Sequence, residues 1–99
     1  MITSKQRAYL RGLANGVPSI CQIGKDGVTE NLVKQLDSAL TARELVKSNV
    51  LENAPCTARE ACGELASLLS AEPVQVIGKV FVLYRQSKDE KKRTIVLKK

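Results

Sequence analysis

Histidine is missing from this 99-residue chain. Its absence removes the imidazole base of the usual nucleophilic triads. Aromatic residues are scarce: Tyr9, Phe81 and Tyr84 are the only three. That is too few for a sheet that stacks successive bases on its central strands, as an RRM does. No apolar run approaches the ~20 residues of a membrane span. The N-terminal residues Met1 to Arg7 lack the apolar core of a secretory signal. A cytoplasmic protein with no membrane partner is expected. The three cysteines are an odd number, and Cys56 and Cys62 stand six positions apart. Neither a disulfide framework nor a zinc-binding spacing results, so all three read as small apolar residues. Cys21 and Cys56 have no evident activating partner in the sequence, and neither a Walker A string nor a GxGxxG occurs. These absences exclude the common catalytic constellations. A non-enzyme without metal or cofactor is expected.

What is present describes one domain. With 43% apolar and 26% charged residues, the composition is that of a folded globule able to bury a core unaided. Net charge is +6, and its placement says more than its size. Residues 1–25 hold Lys5, Arg7, Arg11 and Lys25 and no acid. The middle of the chain is slightly acidic. Residues 88–99 are basic again, through Lys88, Lys91, Lys92, Arg93, Lys98 and Lys99. Polarity of this kind suits a polyanion. A basic tail can also serve only to solubilise.

The chain orders its elements as α-β-α-β-α-β-β. Thr3 and Gln6 have capping-box spacing and open a helix from Ser4 to about Asn15. Gln6, Tyr9, Leu10 and Leu13 are its expected inner face. Arg7 and Arg11, at i and i+4 on the opposite edge, either share a phosphate or are solvated. Ser19–Ile23 reads as a strand. Val28, Leu32, Leu36, Ala39 and Leu40 form the stripe of a second helix over about Thr29–Leu40. Glu44–Leu51 reads as a second strand. Thr57 and Glu60 cap a third helix to Leu69, facing inward through Ala61, Leu65, Leu68 and Leu69. Glu60 and Glu64 read as a solvated acidic face. Val74–Ile77 and Val80–Arg85 form a hairpin around Gly78-Lys79. Thr94–Leu97 could add an edge strand. The expected fold is an α/β layered sandwich on a mixed four-stranded sheet, with its first two strands parallel. The domain spans residues 1–87, and 88–99 form a basic C-terminal tail.

The most specific local feature lies between the first strand and the second helix. Gly24-Lys25-Asp26-Gly27 puts two glycines around a cation, ahead of a helix N-terminus. Glycines allow close backbone approach, and helix starts offer N–H groups to phosphate. Asp26 dilutes the positive field. A GxxG string alone is weak; its strand–turn–helix setting and the charge pattern strengthen it.

Four segments together resemble the CRM domain, and more narrowly the bacterial stand-alone YhbY family. They are Thr3-x-Lys5-Gln6-Arg7 with Leu10-Arg11, Gln22-Ile23-Gly24-Lys25-x-Gly27-Val28-Thr29, Ala42-Arg43-Glu44-Leu45-Val46-Lys47, and Val74-Gln75-Val76-Ile77-Gly78-Lys79-Val80 through Leu83-Tyr84-Arg85. The resemblance covers about residues 3 to 86. It implies an α/β fold similar in shape to the C-terminal domain of bacterial initiation factor three, with a KH-like GxxG loop. It also implies RNA binding, and for bacterial members association with precursors of the large ribosomal subunit. Plant relatives use the domain in intron splicing. By position, Gly24, Lys25 and Gly27 take the RNA-backbone role, and Asp26 occupies the variable loop position. Lys5, Arg7 and Arg11 join them on charge. The expected function is RNA binding in large-subunit assembly, with ribosomal RNA as partner. A protein-interaction adaptor using the acidic third helix and a general nucleic-acid binder are the alternatives. Oligomeric state is left open.

Overall fold

Threonine caps set the helix starts. A computed structural model of the chain describes residues 2–87 and 91. Helices α1 (Ser4–Ala14), α2 (Glu30–Arg43) and α3 (Ala58–Leu69) begin behind Thr3, Thr29 and Thr57. Thr3 with Gln6 and Thr57 with Glu60 form complete capping boxes. Each cap contributes about 1 kcal/mol. The second helix runs past Leu40 to Arg43 and ends where Glu44 takes φ 66. Glu44 is therefore a helix cap, not the strand residue the sequence predicts.

Strand β1 (Ser19–Ile23) pairs in parallel with β2 (Leu45–Val50), the two being joined through α2. The hairpin of β3 (Glu72–Ile77) and β4 (Val80–Tyr84) completes the sheet by pairing β4 antiparallel to β2. Strand order is β1-β2-β4-β3. The α/β order and the mixed four-stranded sheet agree with the sequence reading. The expected edge strand at Thr94–Leu97 lies outside the described residues.

Two cores form because side chains alternate across the strands. On one face Cys21, Ile23, Val46, Val50, Phe81 and Leu83 meet Leu32, Leu36 and Leu40 of α2 and Leu65 and Leu69 of α3. Fully buried side chains such as Phe81 and Leu36 each contribute roughly 1.5–3 kcal/mol. On the other face Leu10 and Ala14 of α1 pack with Leu45, Val74, Val82 and Tyr84.

Two expected inner faces need correction. In α1 the buried residues are Leu10 and Ala14; Tyr9 is 50% and Leu13 36% exposed. Small Ala14 lets the helix approach the sheet closely, and this turns Tyr9 and Leu13 toward solvent. Arg7, three residues before Leu10, comes round to the flank of the buried side and is half-buried. It does not stand on the opposite edge. In α3, Leu68 is 59% exposed. Ala58, Cys62 and Ala66 fill the inner face beside Ala61, Leu65 and Leu69.

Arg85 fastens the segment that follows β4. Its guanidinium pairs with Asp37 at 2.8 Å and donates to Leu69 O at 2.9 Å, Asp37 O at 3.0 Å and Thr41 Oγ1 at 3.1 Å. One side chain thus joins the C-terminal turns of α2 and α3. Ser87 is buried beside it. Its N–H donates to Glu44 Oε2 at 2.9 Å and its hydroxyl donates to Thr41 O. Among the described residues, no helix is long and apolar enough to cross a membrane.

Candidate nucleic-acid interface

Parallel strands bring three loops to one pole. The Leu51 N–H donates to Ile23 O at 2.9 Å, tying the segment after β2 to the end of β1. The Val50 N–H donates to Lys79 O at 2.7 Å, and Lys79 Nζ lies 3.0 Å from a Glu52 carboxylate oxygen. The Gly24–Gly27 loop, residues 51–57 and the hairpin turn therefore sit together.

Within the loop, the Gly27 N–H donates to Gly24 O at 3.0 Å and closes a four-residue turn. Lys25 and Asp26 form its exposed tip. The two glycines do different work. Gly27 is buried at φ 67, and a Cβ there would lie 3.0 Å from Pro55 Cγ. Its glycine is required by the fold. Gly24 has no positive φ, and a Cβ there would meet only Leu51 Cδ1, at 3.8 Å. The fold leaves room for a side chain at Gly24 that the sequence does not use. The sequence points both glycines to ligand approach; the internal fit at Gly27 is not legible there because Pro55 is distant in sequence.

An open groove of about 570 Å³ adjoins the turn. Gly24, Lys25, Asp26 and Gly27 line it together with Gln22, Thr29, Asn31, Gln35 and Asn53. Thr29 caps α2 by accepting from the Leu32 N–H at 3.2 Å. The helix start lies beyond Val28 and Thr29, so its amides do not follow directly on Gly27. Among the described residues, Lys25 and Asp26 are the groove's only charged lining residues, and its remaining polar side chains are amides and one hydroxyl. Sequence reasoning missed those amides. Their signal was modest: Asn31 and Gln35 are an i, i+4 pair on the outer side of α2, and Gln22 sits between two inward residues of β1.

Lys5, Arg7 and Arg11 do not line this groove. They belong to α1, whose contacts with Leu45 and Tyr84 lie at the other end of β2 and β4. That end is roughly 17 Å away by strand length. Lys5 and Arg11 are exposed, whereas Arg7 is half-buried with its Nε enclosed. Lys25 and the three basic residues of α1 thus fall at two poles, not in one patch. Ser87 is held by the last turn of α2 and so lies at the α1 pole.

The cysteines take no part. Burial pushes the Cys62 and Cys21 thiols above their ordinary value, with a Ser48 hydrogen bond partly opposing it at Cys21. Cys56 is raised by partial burial and then by the Glu60 and Glu64 carboxylates. None is poised as a thiolate nucleophile.

Comparison with known proteins agrees in extent with this fold. The CRS1 / YhbY (CRM) domain model matches residues 2–85. The chain is 41% identical over 91 residues to the Bacillus subtilis protein named "Probable RNA-binding protein YqeI", covering 92% of this chain and 95% of that one. It is 31% identical over 90 residues to a Haemophilus influenzae protein named "RNA-binding protein", covering 91% of each. The solution structure of a Staphylococcus aureus protein superposes with a TM-score of 0.78 at 44% identity, covering 97% of this chain and 100% of that chain.

Proposed function

Because the chain belongs to the CRS1/YhbY (CRM) domain family, we propose that it binds RNA, and that it does so on ribosomal RNA in precursors of the large subunit. It acts by binding, without catalysis. Its RNA-contacting residues are Gly24, Lys25, Asp26 and Gly27 at one pole and Lys5, Arg7 and Arg11 at the other. The observation that carries the reading is the turn itself. An exposed lysine stands beside a glycine that the fold does not require, at the mouth of an amide-lined groove. Backbone can approach closely at Gly24, Lys25 supplies the charge, and the amides supply hydrogen bonds to phosphate, sugar or base. The names of the Bacillus and Haemophilus relatives support the same ligand class. One cation beside one carboxylate makes a weak electrostatic grip. Contacts at two poles, rather than the turn alone, then supply the affinity.

One feature favours the adaptor reading: Leu68 is exposed in line with Glu60 and Glu64 on α3. A single exposed leucine is ordinary on protein surfaces and carries little weight.

The test is Lys25→Glu in a salt titration of RNA binding. Loss of one phosphate contact reduces the slope of log affinity against log salt by about 0.7–0.9. An unchanged affinity and slope would exclude Lys25 from the interface. For the cellular role, the tagged protein is expected to co-sediment with immature large subunits. Its confinement to the small-protein fractions of a sucrose gradient would refute that part.

A further inference from the structure

Among the described residues, half of one sheet face has no helix over it. α1 covers the end formed by Leu45, Val82 and Tyr84 and leaves the end beside the glycine turn open. Strand register sets Gln22, Asn49, Val80 and Ile77 in one row across all four strands there. Ser19, Lys47 and Gln75 flank buried Val82 in the next row. The first row spans about 14 Å at the usual spacing between strands. Gln22 and Ile77 are exposed, Ile77 to 63%, while Asn49, Val80, Lys47 and Gln75 are partly so. None of these seven side chains is a carboxylate.

We infer that this row is a platform for unstacked bases of single-stranded RNA, entered from the glycine-turn groove. The inference rests on the RNA-binding reading above and adds a second contact mode to it. Three observations carry it. Gln22 lines the groove and also begins the row, so the two surfaces are continuous. Gln22, Asn49 and Gln75 each offer a donor and an acceptor, the chemistry of a base edge. Val80 and Ile77 offer apolar surface to a base face, and Lys47 offers a cation to the passing backbone. Asn49 is also steadied, since its Oδ1 accepts from Ser19 Oγ at 2.9 Å. A protein partner fits less well, because Ile77 and Val80 are the only apolar side chains in the uncovered row. A duplex fits less well too, because its base edges lie inside grooves a flat sheet cannot enter. Few aromatics in the sequence argued against base contact by a sheet. The open face restores it through amides and aliphatic groups.

The test uses the full chain with two probes of equal length, an oligouridylate and its abasic analogue. Gln22→Ala combined with Asn49→Ala is expected to weaken oligouridylate binding about tenfold, the size of two neutral hydrogen bonds. Abasic binding and the salt slope should stay as in the parent protein. Lys25→Glu should instead weaken both probes and lower the slope. Both substituted side chains lie on the open face, and a thermal melt of the double variant verifies its fold. As an independent measure, the side-chain amide NMR signals of Gln22 and Asn49 in the parent protein should shift with oligouridylate and not with the abasic chain. Parent-like oligouridylate affinity in the double variant would overturn the inference and leave the row to a protein partner. Equal losses on both probes would also overturn it, since the contact would then be to backbone. A Lys25→Glu effect that persists in either case keeps the glycine-turn reading standing. Failure of the parent protein to bind either probe would remove both.

Discussion

Exchange of each loop glycine for alanine separates folding from binding within four residues. At Gly27 the backbone φ of 67 penalises any Cβ, and Pro55 Cγ would stand 3.0 Å from it. The left-handed conformation alone costs about 1–2 kcal/mol for a non-glycine residue. At roughly 4–8 °C per kcal/mol for a domain of this size, Gly27→Ala should lower the midpoint of thermal unfolding by about 5–15 °C. Crowding against Pro55 sets the upper part of that range.

At Gly24 the balance reverses. The added methyl meets Leu51 Cδ1 at an ordinary 3.8 Å. Its main effect on stability is to restrict the unfolded chain, which stabilises by about 0.4–1 kcal/mol. Gly24→Ala should therefore melt at the same temperature as the parent or slightly above it. On the proposed contact, its RNA affinity should fall about tenfold, equivalent to 1.4 kcal/mol, because the methyl would occupy the space left for the RNA backbone. Far-UV circular dichroism reads the first quantity and fluorescence anisotropy with labelled RNA the second. A Gly24→Ala protein with parent-like affinity would refute the argument that this glycine is kept for the ligand. A Gly27→Ala protein with parent-like stability would refute the assignment of Gly27 to the fold.

Three further outcomes follow from the interior. Arg85→Ala removes the link between the ends of α2 and α3 and should destabilise by about 2–3 kcal/mol, discounted from a fully buried pair because Asp37 is 44% exposed; urea unfolding measures this, and a loss below about 0.5 kcal/mol, the scale of a surface pair, would show the network to be incidental. Of the three thiols, only partly exposed Cys56 should react with Ellman's reagent in the native protein, with Cys21 and Cys62 reacting on unfolding; rapid native reaction of all three would contradict the packing. Because burial raises the Cys21 and Cys62 values above 9.0, the folded chain holds protons that the unfolded chain releases. Their contribution to stability is present below 9.0 and is lost as pH rises through the raised values, which urea midpoints across that alkaline range would reveal.

Local signals in this chain are reliable and distant ones are not. Thr3 with Gln6 and Thr57 with Glu60 announce helix starts because a capping box is complete within four residues. The β3–β4 hairpin is legible for the same reason, since its turn and both arms are contiguous. Failures begin where a residue's partner is remote. Tyr9, Leu13 and Leu68 have the spacing of buried residues, but the area available on the sheet is smaller than the apolar stripe of each helix. Packing chose Ala14 over Leu13, and Cys62 and Ala66 over Leu68. Formal charge misleads in the same way. Arg85 counts toward a basic surface in the sequence, yet it is spent on Asp37 and two helix ends. Lys79 is held by Glu52, and Arg7 is half-buried with its Nε enclosed. Lys5, Arg11 and Lys25 stay exposed, and they sit at separate poles. On the proposed reading, affinity comes from hydrogen bonds and shape along the groove and the open sheet, with charge acting at the two poles. Such a binder discriminates among RNAs more than its composition alone would lead one to expect, because neutral contacts depend on base and sugar geometry while phosphate contacts do not.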